Sequence, residues 1–291
     1  MTVASPLSRK ATLVKLTTSS WSGRKVDKRV THETNARYHA SDDAGEYRKR
    51  LVEKVALERV GRAETAARTV FEKYTKPWSK GMGILPNALH ADFSKEIREI
   101  QREHGEAADE FAAAYSNHIE EMKRKLNGMF DEADYPHPAR IRGKFSLNVK
   151  PFPVPDAGDF RSDVLDANTI EDMKREMTEA SEQVLQEAMK DTVKQISEAV
   201  GHMASKLREY GNQSGKKVFF FDSLVDNVRD LAKLLPAFNL TNDPALTAVT
   251  NRIVKELTHD DAKELRANPQ ARAAVQKSAE DILKDVESLL G

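Results

Sequence analysis

The sequence predicts a mainly α-helical protein whose centre is a long antiparallel helical hairpin with a small β-containing tip. Residues 87–129 and 169–210 repeat apolar side chains at steps of three or four, which is typical of amphipathic helices. Between them, residues 131–166 are rich in proline. Within that stretch, apolar and polar residues alternate between Ile141 and Lys150, which favours a half-buried strand. We expect the two helices to pack antiparallel as a stalk.

The N- and C-terminal segments are predicted to form a helical bundle. The chain then has four parts. They are a basic N-terminal arm at 1–39, a helix and loop at 40–86, the long helical hairpin at 87–212 with its β tip at 131–166, and a C-terminal helical bundle at 213–291.

Local signals predict the elements of the first two parts. Residues 13–18 favour a short strand, and residues 26–30 a helical turn. Residues 42–75 have near-helical apolar spacing and predict one helix that ends at Pro77. Residues 78–86 contain two glycines and predict a loop.

The return helix and the C-terminal part also have readable boundaries. Apolar residues from Met189 to Tyr210 keep heptad spacing, which is typical of coiled coils. Residues 224–235 predict a helix that stops at Pro236. Asp243 before Pro244 and Asn268 before Pro269 have the cap-then-proline pattern of helix starts. Residues 218–221 (Val-Phe-Phe-Phe) predict a strand or a buried plug.

Charge is distributed unevenly although the chain is neutral, with 46 Lys and Arg against 46 Asp and Glu. Residues 1–80 hold 18 basic and 9 acidic side chains, so the remaining chain is acidic. Opposite charge at the two ends favours head-to-tail association between copies or an anionic partner. The alternative is a solvated surface of mixed charge.

The composition excludes several classes of protein. There is no cysteine, and hence no disulfide framework or thiolate metal site. No apolar run approaches the length of a membrane span, and no signal peptide is evident, so we expect a cytoplasmic protein without a membrane partner.

No catalytic or cofactor-binding motif is present in the sequence. The chain lacks a phosphate-binding loop, a nucleophile motif and a zinc motif. His104 falls on an apolar helix stripe and is predicted to be a satisfied core residue. We therefore expect a protein that is not an enzyme and needs no cofactor or metal. A group of tip aspartates could bind a hard cation or act as turn and cap residues; the group is Asp156, Asp159, Asp163 and Asp166.

The candidate binding residues lie in the arm and the tip. In the arm, an aromatic residue among basic ones could stack a base while the basic side chains contact phosphates; these residues are Trp21, Arg24, Lys25, Lys28 and Arg29. Trp21 could instead anchor the arm to the core. In the tip, four basic residues are predicted to share one strand face; these are Arg140, Arg142, Lys144 and Lys150. That face could bind an anionic partner, or it could protect a strand edge from aggregation.

Several motifs resemble an uncharacterised family of helical proteins encoded by tailed bacteriophages and prophages, a domain of unknown function. They are Lys144-Phe-Ser146, Pro153-Val-Pro-Asp-Ala-Gly-Asp-Phe-Arg161, Trp21-Ser-Gly-Arg-Lys-Val-Asp27 and Asn239-Leu-Thr-Asn-Asp-Pro244. The resemblance implies a mostly helical protein in a phage-infected or bacterial host cell. It also implies genes near those for a MoxR-type AAA+ ATPase and a von Willebrand-type protein, and so a partner role in a remodelling system. It supplies no catalytic residues.

Two functions remain open from the sequence. The first is a non-enzymatic, phage-encoded helical scaffold that self-assembles and works with an AAA+ ATPase or other phage or host proteins. The alternative is a protein of phage replication or recombination that binds single-stranded DNA through the basic arm and the tip.

Overall fold

The computed structural model describes residues 6–159, 162, 164–211 and 222–289. It confirms a mainly helical protein with a small antiparallel sheet component. The helices are α1 (Pro6–Lys10), α2 (Lys28–Arg37), α3 (Glu58–Tyr74), α4 (His90–Leu126), α5 (Pro138–Ile141), α6 (Ala167–Gly211), α7 (Asp222–Phe238), α8 (Pro244–Leu257), α9 (Ala262–Ala267) and α10 (Pro269–Ser288). The strands are β1 (Ala11–Ser19), β2 (Arg24–Val26), β3 (Arg48–Arg50), β4 (Lys76–Ser79), β5 (Met82–Pro86) and β6 (Ser146–Phe152).

The chain divides into two compact units. Unit 1 comprises residues 1–14, 74–91 and 151–291, and unit 2 comprises residues 15–73 and 92–150. The strands form a four-stranded sheet in the order β4-β5-β1-β6 and a separate two-stranded ribbon of β2 and β3.

Unit 1 is built around a helical bundle. The carboxyl-terminal half of α6 packs with α7, α8 and α10 around a core that includes Ile196, Leu235 and Ile282. Two of its helices begin as predicted, because Asp243 accepts hydrogen bonds from the first turn of α8 and Asn268 does the same for α10. Helix α7 continues past Pro236 to Phe238, so the predicted stop at the proline is wrong by two residues.

A buried lysine, Lys76, lies in unit 1 and is hydrogen-bonded to two side chains of α6. Its Nζ donates hydrogen bonds to Asp191 Oδ2 at 3.0 Å and to Gln195 Oε1 at 2.5 Å. It also lies 4.5 Å from the centre of the Phe238 ring. Burial lowers the pKa of this ammonium, and hydrogen bonding and attraction to Asp191 oppose that shift. Lys76 therefore links β4, α6 and α7 at the carboxyl-terminal end of α7.

Unit 2 contains α4, whose predicted apolar stripe forms its core. Phe111 and Tyr115 of α4 pack with Val52, Ile141 and Phe145. The predicted helix over 87–129 is confirmed, with short 3₁₀ turns at both ends of α4. The predicted pairing of this helix with the return helix into one stalk is not confirmed, since α4 packs within unit 2 and α6 within unit 1.

The predicted helix over 42–75 is wrong in its first third. Residues 48–50 form β3, residues 54–57 form a 3₁₀ turn, and the α-helix begins only at Glu58. Before β3, the side chain of Asn35 donates to the carbonyls of Asp42 and Gly45 and holds this segment as a turn. Pairing of β3 with β2 thus overrides the local helical spacing.

The predicted loop over 78–86 is also wrong, because β4 and β5 form an antiparallel hairpin. Lys76 is paired with Ile84 and Ser79 with Met82, which leaves Lys80 and Gly81 as the turn. Gly81 has a φ of +77°, a conformation that glycine adopts without steric cost. The predicted strand or plug at 218–221 lies outside the described residues.

The ribbon in unit 2 is held by a buried ion cluster centred on Lys49. Its Nζ lies 2.6 Å from Asp134 Oδ2 and 3.2 Å from Asp27 Oδ2, and it donates to the Met129 carbonyl at 2.7 Å. The side chains of Lys49, Asp27 and Asp134 are each less than a tenth exposed. Lys25 adds a second ammonium, 2.5 Å from Asp134. We call these four residues the ion clamp; it fixes the ribbon against the turn that follows α4.

The ion clamp shifts the pKa values of both carboxyl groups downward. A hydrogen bond from the Val30 backbone, assisted by Lys49, lowers the pKa of Asp27 despite its burial. Burial raises the pKa of Asp134, but its bonds to Lys25 and Lys49 outweigh that effect and lower it. A depressed carboxyl pKa stabilises the fold above the unfolded-state value of about 3.9. That contribution is lost as the pH falls through the folded-state pKa.

Replacing Lys49 with Met is therefore expected to destabilise unit 2. Two buried carboxylates lose a cation, although Lys25 still pairs with Asp134, so we expect a loss of about 3 kcal/mol. The chain has two tryptophans, and a Trp78→Phe background leaves Trp21 to report urea unfolding of unit 2. Lys95, exposed on α4, supplies the control Lys95→Met, which should change stability by less than about 0.5 kcal/mol.

The pH dependence gives a second check on the same variant. Wild-type stability should fall as the pH drops below about 4. The fall should be shallower in Lys49→Met, because without Lys49 the pKa values of Asp27 and Asp134 are less depressed and their protonation costs less stability. Equal stability of Lys49→Met and Lys95→Met at neutral pH would contradict a structural role for the ion clamp.

Candidate anion-binding interface

Trp21 is part of the core of unit 2. Its ring centre lies 5.7 Å from that of Tyr115, edge to face, and 6.1 Å from that of Phe111. Such aromatic pairs stabilise a core through both burial and ring geometry. The structure therefore supports the anchoring interpretation of Trp21 over the base-stacking one.

The predicted basic residues of the arm have different environments. Lys25 belongs to the ion clamp, and Arg29 donates a hydrogen bond to the Gly128 carbonyl at 3.1 Å. Arg24 and Lys28 are exposed, and within the described residues neither side chain has a hydrogen-bond acceptor. Of these four, only Arg24 and Lys28 keep their full donor capacity for a ligand.

The basic residues of the tip do not share a strand face. Arg140 lies in α5, and Arg142 and Lys144 lie in the following 3₁₀ turn; only Lys150 is in β6. Arg142 is ion-paired with Asp109 and also donates to the Phe145 carbonyl at 3.3 Å. The predicted face is wrong because the strand begins at Ser146, five residues later than its apolar pattern suggested.

The two-stranded ribbon brings basic side chains together instead. Arg24 is paired with Arg50, Lys25 with Lys49, and Val26 with Arg48. Because side chains alternate between the faces of a strand, Lys25 and Lys49 lie on one face, which contains the ion clamp. The opposite face, which we call the outer face, carries Arg24, Arg50, Arg48 and Val26.

A small cleft lies beside the outer face. Its volume is about 220 Å³, and the lining residues are Ser22, Gly23, Arg24, Arg50, Val52, Glu53, Lys54, Leu57 and Glu58. Val52 and Leu57 provide an apolar floor next to Gly23. Three basic side chains line the cleft; Arg50 and Lys54 are exposed and, like Arg24, have no hydrogen-bond acceptor in the part of the chain that is described.

The two carboxylates of the cleft do not cancel this charge equally. Glu53 lies 2.5 Å from Lys125 Nζ, and that bond is the main reason that its pKa is lowered. Attraction to Arg50 makes a smaller contribution to the same shift. Glu58 is exposed at the start of α3, where the positive end of the helix dipole favours a carboxylate.

Unit 2 also contains two exposed tyrosines. Tyr38, at the end of α2, is 73% exposed, and Tyr47, just before β3, is 41% exposed. The Tyr47 carbonyl accepts a hydrogen bond from the Asp27 N–H, and the Tyr47 N–H donates to the Thr31 hydroxyl. These two bonds hold Tyr47 beside α2. Tyr38 directly follows α2 and is seven residues after Thr31, which corresponds to roughly 10 Å along the helix.

Arg48, Arg50, Lys54, Tyr38 and Tyr47 were not identified from the sequence. All of these except Tyr38 fell inside the predicted helix over 42–75, where their side chains would have been dispersed around the helix surface. The signal that was available is the Arg-Lys-Arg triplet at 48–50 opposite Arg-Lys at 24–25, because two short basic strands place like charges in pairs.

Other predicted sites have structural explanations. His104 is buried as predicted, but the prediction that it is satisfied is wrong, because its Nε2 has no hydrogen-bond partner among the described residues and lies 3.7 Å from Glu64 Oε1. Burial lowers the pKa of His104, and Glu64 opposes that shift. Asp156 accepts from the Gly158 backbone, and Asp166 caps the start of α6 through Asn168 and Thr169. Asp163 and the side chain of Asp159 lie outside what is described.

The described residues contain no group of three or more His, Cys, Asp or Glu side chains with metal-binding geometry. In the same ranges, no helix combines the length and apolar composition of a membrane span.

Gly23 provides a test of the cleft geometry. Its φ is +61°, and an added Cβ would lie 2.7 Å from Val52 Cγ2. Gly23→Ala should therefore cost about 2 kcal/mol or more, since both the left-handed backbone and the contact are unfavourable. Gly61→Ala is the matched control, because nothing lies within 4 Å of its added Cβ on α3, and it should gain up to about 1 kcal/mol. Urea unfolding measures both, and a neutral Gly23→Ala would contradict the close approach.

Comparison with known proteins identifies the family of the chain. No curated protein and no solved structure matches it. The family model described as "Protein of unknown function (DUF3150)" matches residues 9–217. This match covers all of unit 2, including the ribbon, the cleft and both exposed tyrosines. Because the match extends over most of the sequence, the chain belongs to the DUF3150 family of proteins of unknown function.

Proposed function

We propose that this protein is a non-enzymatic binding module and that unit 2 binds single-stranded nucleic acid. The observation that carries the proposal is the presence, in one unit, of unpaired basic side chains and exposed aromatic rings. Arg24, Lys28 and Arg50 have no hydrogen-bond acceptor among the described residues, and Tyr38 and Tyr47 are exposed in the same unit. Basic side chains bind the phosphate backbone, and aromatic rings stack on unpaired bases.

Charge supports this assignment to unit 2. From Arg24 to Lys54 there are nine Lys and Arg against six Asp and Glu. Lys49 is neutralised within the ion clamp, whereas Arg24, Lys28, Arg37, Arg50 and Lys54 are exposed. The net attraction is modest, so the proposal implies weak, salt-sensitive binding.

The tyrosines favour a single strand over a duplex. Bases in a duplex are stacked on one another and offer their flat faces to a protein only when they are unpaired. Trp21 cannot serve this purpose while it is packed against Phe111 and Tyr115. Tyr38 and Tyr47 therefore take the stacking role that the sequence suggested for Trp21.

The test is the fluorescence anisotropy of a labelled oligothymidine, measured at several salt concentrations. The slope of log K against log salt should be negative, and the loss of one phosphate contact should make it less negative by about 0.7. Lys28→Gln should show that change. Lys255→Gln is the control, because Lys255 is an exposed lysine of α8 in unit 1. Absence of binding at low salt, or binding that salt does not weaken, would refute the proposal.

The stacking role has its own expected result. Tyr38→Ala and Tyr47→Ala should each weaken binding by about 1–3 kcal/mol, and Tyr→Phe at either position should retain it because the ring remains. Fluorescence of Trp21 in the Trp78→Phe background should be unchanged on binding, since its ring lies in the core. Equal affinity of the Ala and Phe variants would exclude stacking by that residue.

A second candidate is the self-assembling helical scaffold predicted from the sequence, working with an AAA+ ATPase or other phage or host proteins. It is supported by the exposed apolar side chains Phe152, Val164 and Leu165, which are 40%, 93% and 39% exposed before α6. Partly exposed Ile170, Met173 and Met177 then follow at heptad-like steps on α6. We assign this surface to a second copy of the chain.

The scaffold candidate predicts a concentration-dependent mass. Light scattering should detect a dimer or larger species in the wild type and a monomer after Val164→Asp with Leu165→Asp. Val254→Asp is the control, because Val254 is similarly exposed, at 49%, in α8. A wild type that is monomeric at high concentration and low salt would exclude self-assembly through this surface.

A further inference from the structure

Both faces of the β2–β3 ribbon place two basic side chains opposite each other, but only the inner pair has carboxylate partners among the described residues. In an antiparallel pair, residues directly opposite have Cβ atoms roughly 5 Å apart, and like charges there are destabilising. On the inner face, Lys25 and Lys49 both contact Asp134, and Lys49 also contacts Asp27, so two carboxylates neutralise the two ammonium groups. On the outer face, Arg24 and Arg50 are opposite each other, and no described carboxylate lies within ion-pair distance of either.

The outer pair therefore lacks the anion that the inner pair has. Arg24, Arg50 and Lys54 line the cleft described above. An anionic group bound there would occupy the electrostatic position that Asp134 occupies on the inner face. Guanidinium groups bind carboxylates and phosphates in the same forked geometry, with two parallel N–H donors each.

The size of the cleft restricts what can enter it. At about 220 Å³ it is smaller than the roughly 300–1,000 Å³ of pockets that enclose drug-sized ligands. A single phosphate group fits such a volume, whereas a whole nucleotide does not. Three cationic side chains, Arg24, Arg50 and Lys54, line the cleft and attract a doubly charged phosphate monoester more strongly than a singly charged diester. Glu53 and Glu58 oppose this attraction, but Glu53 is already paired with Lys125.

We propose that this cleft binds a terminal phosphate monoester through Arg24, Arg50 and Lys54. The proposal rests on the proposed function when the phosphate is the end of a nucleic-acid strand. The same chemistry is present in a free mononucleotide, in which case the phosphate site stands without the strand. Gly23 allows the backbone to approach Val52 and Leu57, and Ser22 is also among the residues that line the cleft.

The experiment compares oligothymidines that carry a 5′-phosphate, a 3′-phosphate or hydroxyl groups at both ends. One phosphorylated strand should bind roughly tenfold or more tightly than the unphosphorylated strand, because at least one extra charge-assisted contact forms. Arg50→Gln should abolish that difference. Arg48→Gln should preserve it, because Arg48 is opposite Val26 and paired with Glu46 at 2.9 Å. Equal affinity for all three strands would overturn assignment of a strand end.

A second measurement separates this proposal from the proposed function. Relative to sodium chloride of equal ionic strength, inorganic phosphate should raise the Tm of the wild type more than that of Arg50→Gln. The general stabilisation by an excluded anion acts on both proteins alike, so the difference between them reports binding in the cleft. Arg50→Gln should itself remain folded, with a urea midpoint at or above that of the wild type, because it removes a like-charge pair.

The outcomes are distinguishable. One outcome overturns the cleft assignment and leaves the proposed function intact. In that outcome strands bind without any preference for a phosphorylated end, and phosphate stabilises the wild type no more than it stabilises Arg50→Gln. If phosphate and thymidine monophosphate each raise the Tm of the wild type more than that of Arg50→Gln, and no strand binds, the cleft is supported and the proposed function is refuted. If an unphosphorylated strand displaces phosphate from the cleft as effectively as thymidine monophosphate does, the preference for a monoester is wrong.

Discussion

The buried contact between Lys49 and the carboxylates of Asp27 and Asp134 is the constraint on which the candidate site depends. The ribbon has only three residues in each strand, and an isolated hairpin of that size is marginal in water. The ion clamp fixes Lys25 and Lys49 inward, which by strand alternation places Arg24 and Arg50 on the outer face. The same cluster links β3 to the Met129 carbonyl and so to the end of α4.

Long periodic segments were predictable because a single interaction pattern dominates them. Helix α4 buries residues from Phe93 to Leu126 on one stripe, and that stripe was visible in the sequence. The starts of α8 and α10 were predictable for a different reason, since an Asp or Asn cap before proline satisfies local hydrogen bonds regardless of the rest of the fold. Local signals sufficed where the interactions themselves are local.

The ribbon and the β4–β5 hairpin were missed because their stability comes from distant partners. Lys49 takes its strand conformation from pairing with Lys25 and from carboxylates 22 and 85 positions away along the chain. The apolar spacing from Leu51 to Tyr74 extended a genuine helix back into a segment that tertiary contacts hold as strand and turn. The stalk was inferred by the same reasoning, from periodicity alone, and periodicity does not specify which partner a helix selects.

The candidate site could be predicted only in part, and the reason is the distinction between satisfied and unsatisfied charge. Sequence alone lists Lys25, Arg24 and Trp21 as equivalent candidates, but the first is neutralised by Asp134 and the third is packed in the core. Lys76 in unit 1 shows the same satisfied state, with Asp191, Gln195 and the Phe238 ring around one ammonium.

Lys49 and Lys76 are thus each enclosed by their partners. Arg24 and Arg50 differ, because an exposed like-charge pair on a short ribbon contributes nothing to folding that a neutral pair would not supply better. Natural sequences are locally consistent with their folds except where function requires otherwise. The unfavourable pair is therefore better explained by a ligand than by stability. Glu53 does not supply the missing anion, because it is already paired with Lys125.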